Sequence, residues 1–363
     1  MSYNQALHRV YQAVRQTSPQ TQPDLVESSG LSLPAVIQAI KRLEQQKLVF
    51  SDGEQRGQGR PAKRYRTSPE QHTVLAIDLG GSSLRAATFD LYGQQGDRIE
   101  TISLYKFSKL SRQEALKHLQ EISQAYPQAK RIGICTPGIV TPNATLENSW
   151  LFGLQPLEKQ TLESVFAKPV ELENDARSAA WGEFRQGHGT DNFAFVTFAY
   201  GIGAGIVLGG QLLRGSRGAA GELSYLPSSL IGFEKPRLGA LAYGFFEALR
   251  EVSPDPTLKN WESDVFQAAQ NGSINAKRAV QKAVEHIALA IASIITSLDP
   301  DRIVLRQEFP HTKDLVLEPL GIMLSGIGLT TPLLLSALGR DAGLIGIALL
   351  TAERLEQELL LQA

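Results

Sequence analysis

Leu7, Val10, Tyr11 and Val14 recur three and four residues apart, which predicts a helix from about Gln5 to Arg15. A second, shorter helix is expected over Thr21 to Ser28, with Pro23 tolerated in its first turn. Ser29-Gly30 breaks the chain, and Ser32 stands where it could cap a third helix whose inward stripe is Val36, Ile40 and Leu43. Ser32, Leu33, Pro34, Ile37, Gln38 and Lys41 then lie on the outer side. Leu48 to Phe50 reads as a strand and Lys63 to Arg66 as its return, with a glycine-rich tip between them.

Short helix, glycine turn, longer helix and basic hairpin is the order of a winged helix-turn-helix, expected over residues 1–70. The outward residues at the start of the third helix are those such a domain offers to base edges. Arg56, Arg60, Lys63 and Arg64 on the hairpin suit phosphates or a minor groove. Double-stranded DNA is the expected partner. The alternative is a packed helical trio followed by a solvated basic linker.

From Thr73 the pattern changes. VLAIDLGGSSLRAATFDLYGQ is an apolar strand, a glycine turn and a second strand ending near Asp90. No helix follows at once, which argues against a Rossmann or P-loop unit. The theme returns in FAFVTFAYGIGAGIVLGGQLLRG as strand, Gly201–Gly203 turn, strand, Gly209-Gly210 turn and strand. Two such units predict a duplicated α/β body with a cleft between lobes, the first over 71–185 and the second over 186–363. The last helix is left free to return to the first lobe.

The net charge of -1 hides an asymmetry: residues 1–70 carry ten Lys and Arg against six Asp and Glu, the remainder 26 against 31. A basic head on an acidic body suggests that only the head meets a polyanion. One cysteine, Cys135, excludes an internal disulfide and a cysteine-rich metal site. The first residues are polar and amphipathic rather than a signal peptide, and Ile287 to Leu298 is too short an apolar run to span a membrane. A cytoplasmic protein without membrane contact is expected.

IDLGG, CTPGIV (135–140), ENDARSAAWGE (173–183), GIGAGIV (201–207) and AAGELSY (219–225) follow one another in the order of the ROK family, which this chain resembles over about residues 73–355. The resemblance implies an actin-like (duplicated ribonuclease H-like) sugar-kinase fold. The winged head matches the family's repressor branch. It also implies a sugar or sugar-phosphate effector held by Gly80, Gly81, Asn174, Asp175, Glu222, Tyr225 and Glu247, since carboxylates accept from adjacent hydroxyls. Asp175 is the position of the family's general base. Asn174-Asp175 can equally be read as a helix N-cap.

The chain also departs from the family pattern. LGALAYGFFE puts Leu238, Ala240 and Phe245 where zinc-binding thiolates would stand, and Tyr225 replaces a histidine, so no metal site is expected. Ala199 and Tyr200 replace a glycine and a threonine of the phosphate-binding turn. Arg306, Gln307 and Glu308 stand where the family has paired glycines beside adenine. Together these imply no kinase activity and no cofactor. The expected function is a DNA-binding regulator, more often repressor than activator, of carbohydrate genes, acting as a homodimer or homotetramer. A kinase with a DNA-binding head, or a ligand-free dimerisation scaffold, are the alternatives.

Overall fold

The computed structural model describes residues 3–55, 62–80, 83–147, 149, 156–198, 201–226, 240–253, 261–307 and 309–363. The head opens with α1 (Tyr3–Gln16), β1 (Gln20–Thr21), α2 (Gln22–Ser29) and α3 (Leu33–Gln45). Thr21 caps α2 in a reciprocal box with Asp24, and Gly30 ends that helix in the left-handed region, φ 64°. Ser32 sits at the N-cap of α3, although its side chain makes no capping bond. β2 (Val49–Gln55) and β3 (Ala62–Thr67) pair antiparallel from Val49 opposite Thr67, and β1 adds to β3.

The body contains the expected repeat. The first sheet is built from β4 (Thr73–Asp78), β5 (Ser83–Phe89) and β6 (Gln95–Ser103) as an antiparallel meander. After α4 (Leu104–Phe107) and α5 (Arg112–Ala125), β7 (Ala129–Thr136) joins β4 in parallel. A small sheet of β8 (Ile139–Val140), β9 (Thr145–Glu147) and β10 (Leu157–Glu158) leads to α6 (Lys159–Phe166). Strand β11 (Val170–Asn174) then pairs in parallel with β7, and α7 (Asp175–Gln186) follows.

The second sheet starts with the meander β12 (Phe193–Thr197), β13 (Gly203–Leu208) and β14 (Gln211–Leu212). Helices α8 (Ala240–Arg250), α9 (Trp261–Gln270) and α10 (Ile274–Leu298) precede β15 (Arg302–Leu305). Helix α11 (Glu318–Gly326), β16 (Leu333–Leu335) and α12 (Ala342–Gln362) complete the chain. Across each five-stranded sheet the order is third, second, first, fourth, fifth, and the last two strands run parallel to the first. The duplication is thus one of topology, not only of glycine turns.

Helix α10 is longer than the apolar run from Ile287 suggested. Its 25 residues reach the length and hydropathy of a membrane span, which corrects the expectation that no segment does. Its inward stripe, including Val284, Ile287, Ile291 and Ile294, lies in the second lobe's core.

The two lobes exchange helices. α7 packs on β12 and β13 of the second sheet, whereas α12 packs on β4 and β7 of the first. The two helices also press on each other, and a Cβ on Gly346 would stand 1.6 Å from the Ser178 carbonyl oxygen, so only glycine permits this approach. The core of the head is continuous with that of the first lobe. Leu7, Val10 and Val14 share one apolar cluster with Val74 and Phe89 of the first sheet and with Leu355 and Leu359 of α12. At the junction, Ser68 and His72 both bond the Lys47 carbonyl, at 2.6 and 3.2 Å.

Candidate functional site

β11 delivers Asn174 and Asp175 to the start of α7. The Asn174 amide accepts from the Arg177 N–H at 3.0 Å and donates to the Gly138 carbonyl at 3.0 Å, so the helix-capping role is realised. Asp175 is half-buried, with one carboxylate oxygen accepting from Ala176 N–H at 2.9 Å. Gly80 lies directly against it: a Cβ there would stand 2.7 Å from the other oxygen. The turn of IDLGG and the acid of ENDAR therefore meet because position 80 has no side chain. Gly81 lies outside the described residues.

Behind this acid is a buried ionic scaffold that sequence reading missed. Glu173 accepts from Arg177 and Arg214, each at 2.7 Å. Arg177 also donates to the carbonyls of Gly218 and Val140, joining the strand loop of CTPGIV to the segment before Glu222. The Glu173–Arg177 spacing, i to i+4 across a helix start, was a readable signal; the two carbonyl partners were not.

Glu222 precedes a short turn of helix at Leu223–Tyr225. The Ser224 hydroxyl holds this turn to the glycine turn of the second lobe, accepting from Ile202 N–H at 2.8 Å and donating to its carbonyl at 3.0 Å. Burial, and then the charge of Asp175, push the Glu222 carboxyl up to about 7, against a pull from Arg177. Asp175 and Glu222 thus feel one another. Tyr225 is 44% exposed, and burial with the Glu222 charge raises its phenol. Glu247 lies on α8 and pairs with Arg250 at 3.4 Å. Gly80 and Asp175 are thus in contact, the charges of Asp175 and Glu222 act on one another, and Asn174 caps the helix that Asp175 begins. A cavity of about 650 Å³ is lined by Glu173, Arg214, Gly218, Leu350 and Glu353. Gly80, Asn174, Asp175, Glu222 and Tyr225 do not line it.

The glycine turn of the first lobe is neutralised from within. Asp78 accepts from Gly80 N–H at 2.7 Å and from Cys135 Sγ at 3.2 Å, and its other oxygen is in contact with Arg85. Arg85 continues to Asp341 at 2.7 Å, where Arg98 also binds at 2.8 Å. Ala199, Tyr200, Leu238 and Glu308 lie outside the described residues. Arg306 is buried rather than spread over a surface, and Gln307 is exposed. Phe245 is fully buried in an aromatic cluster with Phe198, Phe266 and Phe309, so its position cannot serve a zinc ion. Among the described residues, no three His, Cys, Asp or Glu side chains gather as a metal site requires.

On the head, Ser32, Leu33, Pro34, Ile37, Gln38 and Lys41 are all exposed, on the side of α3 opposite Val36, Ile40 and Leu43. Lys63 is exposed on β3. Arg64 and Arg66 flank Asp52, each at 3.8 Å, and Arg66 also lies over the Phe50 ring at 4.0 Å. Arg56 and Arg60 fall outside the described residues.

The sequence matches the ROK family over residues 74–354. The chain belongs to the ROK family. Its mixed α/β body has the actin-like sugar-kinase fold of that family. It is 24% identical to the xylose repressor of Bacillus subtilis (strain 168), over 92% of this chain and 91% of that protein. It is 31% identical to the N-acetylmannosamine kinase of Shigella flexneri, over 77% of this chain and 98% of the kinase. A higher identity, 38%, covers 194 residues of the bifunctional enzyme NanE/NanK of Brucella melitensis biotype 1, of which the chain spans only 35%. Among solved structures, a ROK family transcriptional regulator, homolog of the E. coli MLC protein, superposes with a TM-score of 0.79 at 22% identity, covering 99% of both chains. The ROK relatives thus include kinases and repressors.

Proposed function

We propose that this ROK protein is a sugar-responsive transcriptional regulator whose residues 1–70 form a winged helix-turn-helix that reads an operator duplex. The way the relatives align carries the reading. The kinase is 98% used within 77% of this chain, whereas the repressor covers 92% of it, so the head finds a counterpart in the repressor. In this reading Ser32, Leu33, Pro34, Ile37, Gln38 and Lys41 face the major groove, and Arg56, Arg60, Lys63 and Arg64 meet phosphates.

The effector is a sugar or sugar phosphate bound between Gly80, Gly81, Asp175, Glu222 and Tyr225, with Asn174 and Glu247 at its margin. It shifts the protein between forms only as far as it binds them unequally. The regulator acts in the cytoplasm as a homodimer or homotetramer, away from membranes and without a cofactor, on genes of carbohydrate use. A two-fold protein matches two half-sites. The test is fluorescence anisotropy with duplexes enriched from a random pool, repeated with a panel of hexoses, pentoses, N-acetylated sugars and their phosphates. Enrichment of a defined site, and its release by one sugar but not by that sugar with Asp175→Ala, supports the reading. Failure to enrich any duplex sinks it.

A second reading, a sugar kinase carrying a head, is favoured by the 31% identity to a kinase and by the retained Asp175. Ala199, Tyr200, Arg306, Gln307 and Glu308, which replace residues of the family's nucleotide-binding motifs, speak against it. ATP-dependent phosphorylation of a sugar that disappears in Asp175→Ala would establish it.

A further inference from the structure

Among the described residues few large apolar side chains are left in solvent, and two of them sit one turn apart at the start of α3: Leu33, 47% exposed, and Ile37, 44% exposed. They are not a misplaced part of the core. The inward stripe of the same helix is complete, with Val36, Ala39, Ile40 and Leu43 buried to 2% or less. Nor is the surrounding surface apolar. Gln38 and Lys41 flank the pair, and the first turn of the helix carries no acidic residue. A small greasy pair set among amide, cation and unopposed helix N-terminus matches a partner that is polyanionic overall yet presents isolated methyl groups. The major groove is such a surface, and the thymine C5-methyl is the apolar group its base edges offer.

Resting on the reading of the head as a DNA reader, we propose that Leu33 and Ile37 contact thymine methyl groups and that Gln38 reads an adjacent adenine. The operator half-site then contains at least two A·T pairs at the positions facing the start of α3. Residues four apart on a helix are separated by about 6 Å along its axis, or roughly two base-pair steps. A glutamine next to Ile37 can take both the N6 and N7 atoms of an adenine, so Ile37 and Gln38 together can grip one A·T pair from its two apolar and polar features. Leu33 reaches a second thymine toward the helix start. The apolar contacts set base preference, whereas Lys41 adds charge without it.

The experiment uses the full chain. Duplexes enriched from a random pool define the site, and thymines at the half-site are then replaced one at a time by deoxyuridine, which removes only the methyl group. Binding should weaken roughly fourfold for each contacted methyl, the value of one buried CH₂. Ile37→Ala should bind thymine and deoxyuridine duplexes equally at one position, with its salt dependence unchanged, and Ile37→Val should recover part of the difference. Both side chains are exposed, so these variants should melt with the parent protein. Equal affinity of the parent for thymine and deoxyuridine sites overturns the proposal while leaving DNA binding intact. Full discrimination retained by Leu33→Ala and Ile37→Ala does the same. A chain that enriches no duplex removes the proposal together with the reading beneath it.

Discussion

The Tyr11 hydroxyl donates to the Glu356 carboxylate at 2.7 Å, joining two residues 345 positions apart. Arg15 closes on the same carboxylate at 2.8 and 2.9 Å and also lies 4.6 Å from the centre of the Tyr92 ring. At the end of the chain, Arg42 of α3 donates to the Ala363 carbonyl at 2.7 Å. The helix that follows Asp341, the partner of Arg85, therefore ends against the head. Tyr11 stays protonated at any ordinary pH, because burial and the nearby carboxylate both raise its phenol.

Glu356→Ala should unseat the head. It removes the acceptor of a buried phenol and of a partly buried guanidinium, at a cost of about 1–3 kcal/mol. Glu356→Gln keeps an acceptor for Tyr11 and should cost less. Hydrogen exchange of α1 and α3 is the measurement, and faster exchange there, with α5 unaffected, is the expected result.

Arg85→Ala leaves the Asp78 carboxylate, itself 1% exposed, without its cation. A loss of about 3–5 kcal/mol is expected, since an unpaired buried charge is the costly state. Arg85→Met with Asp78→Leu should recover much of it. A double-mutant cycle on melting temperature that returned no coupling would show that the pair is incidental.

Glu222 should make the protein less stable as the solution turns from acidic to neutral. Its folded-state value near 7 lies above that of an unfolded glutamate, so the folded chain holds this proton more tightly, and stability falls as pH rises between about 4.5 and 7. Glu222→Gln removes that slope. The variant should match the parent near pH 4.5 and exceed it by roughly 3 kcal/mol at most above pH 7. Urea unfolding at both pH values reads the difference, and a gap independent of pH would contradict it.

Gly346→Val should force α12 away from α7, because the Ser178 carbonyl occupies the space the new side chain needs. The expected cost is about 3 kcal/mol or more, whereas Gly328→Ala, with open space around it but φ 83°, should cost about 1 kcal/mol. Thermal melts of the two variants give the comparison.

Much of the frame was legible in the residues. α1 and α2 lie within two residues of their expected limits and α3 starts directly after Ser32, because amphipathic spacing and the Thr21, Gly30 and Ser32 boundary residues are local signals. The two glycine-turned meanders were legible for the same reason. The capping duty of Asn174 was an available reading, and the structure bears it out in the hydrogen bond from Arg177 N–H. What could not be read was any pairing between distant segments: Arg85 with Asp341, Arg177 with Gly218, Tyr11 with Glu356.

The sequence by itself determined the three helices and the hairpin of the head, which face of α3 is apolar, and that two similar glycine-turned units follow a basic head, because each depends on neighbours within a few positions. Only the tertiary structure decided that the head shares its core with α12, that α7 and α12 cross between lobes, and that Asp78 is held by the protein's own arginine. Those outcomes depend on charges and apolar surface brought together after the chain has closed, where burial gives each contact its strength.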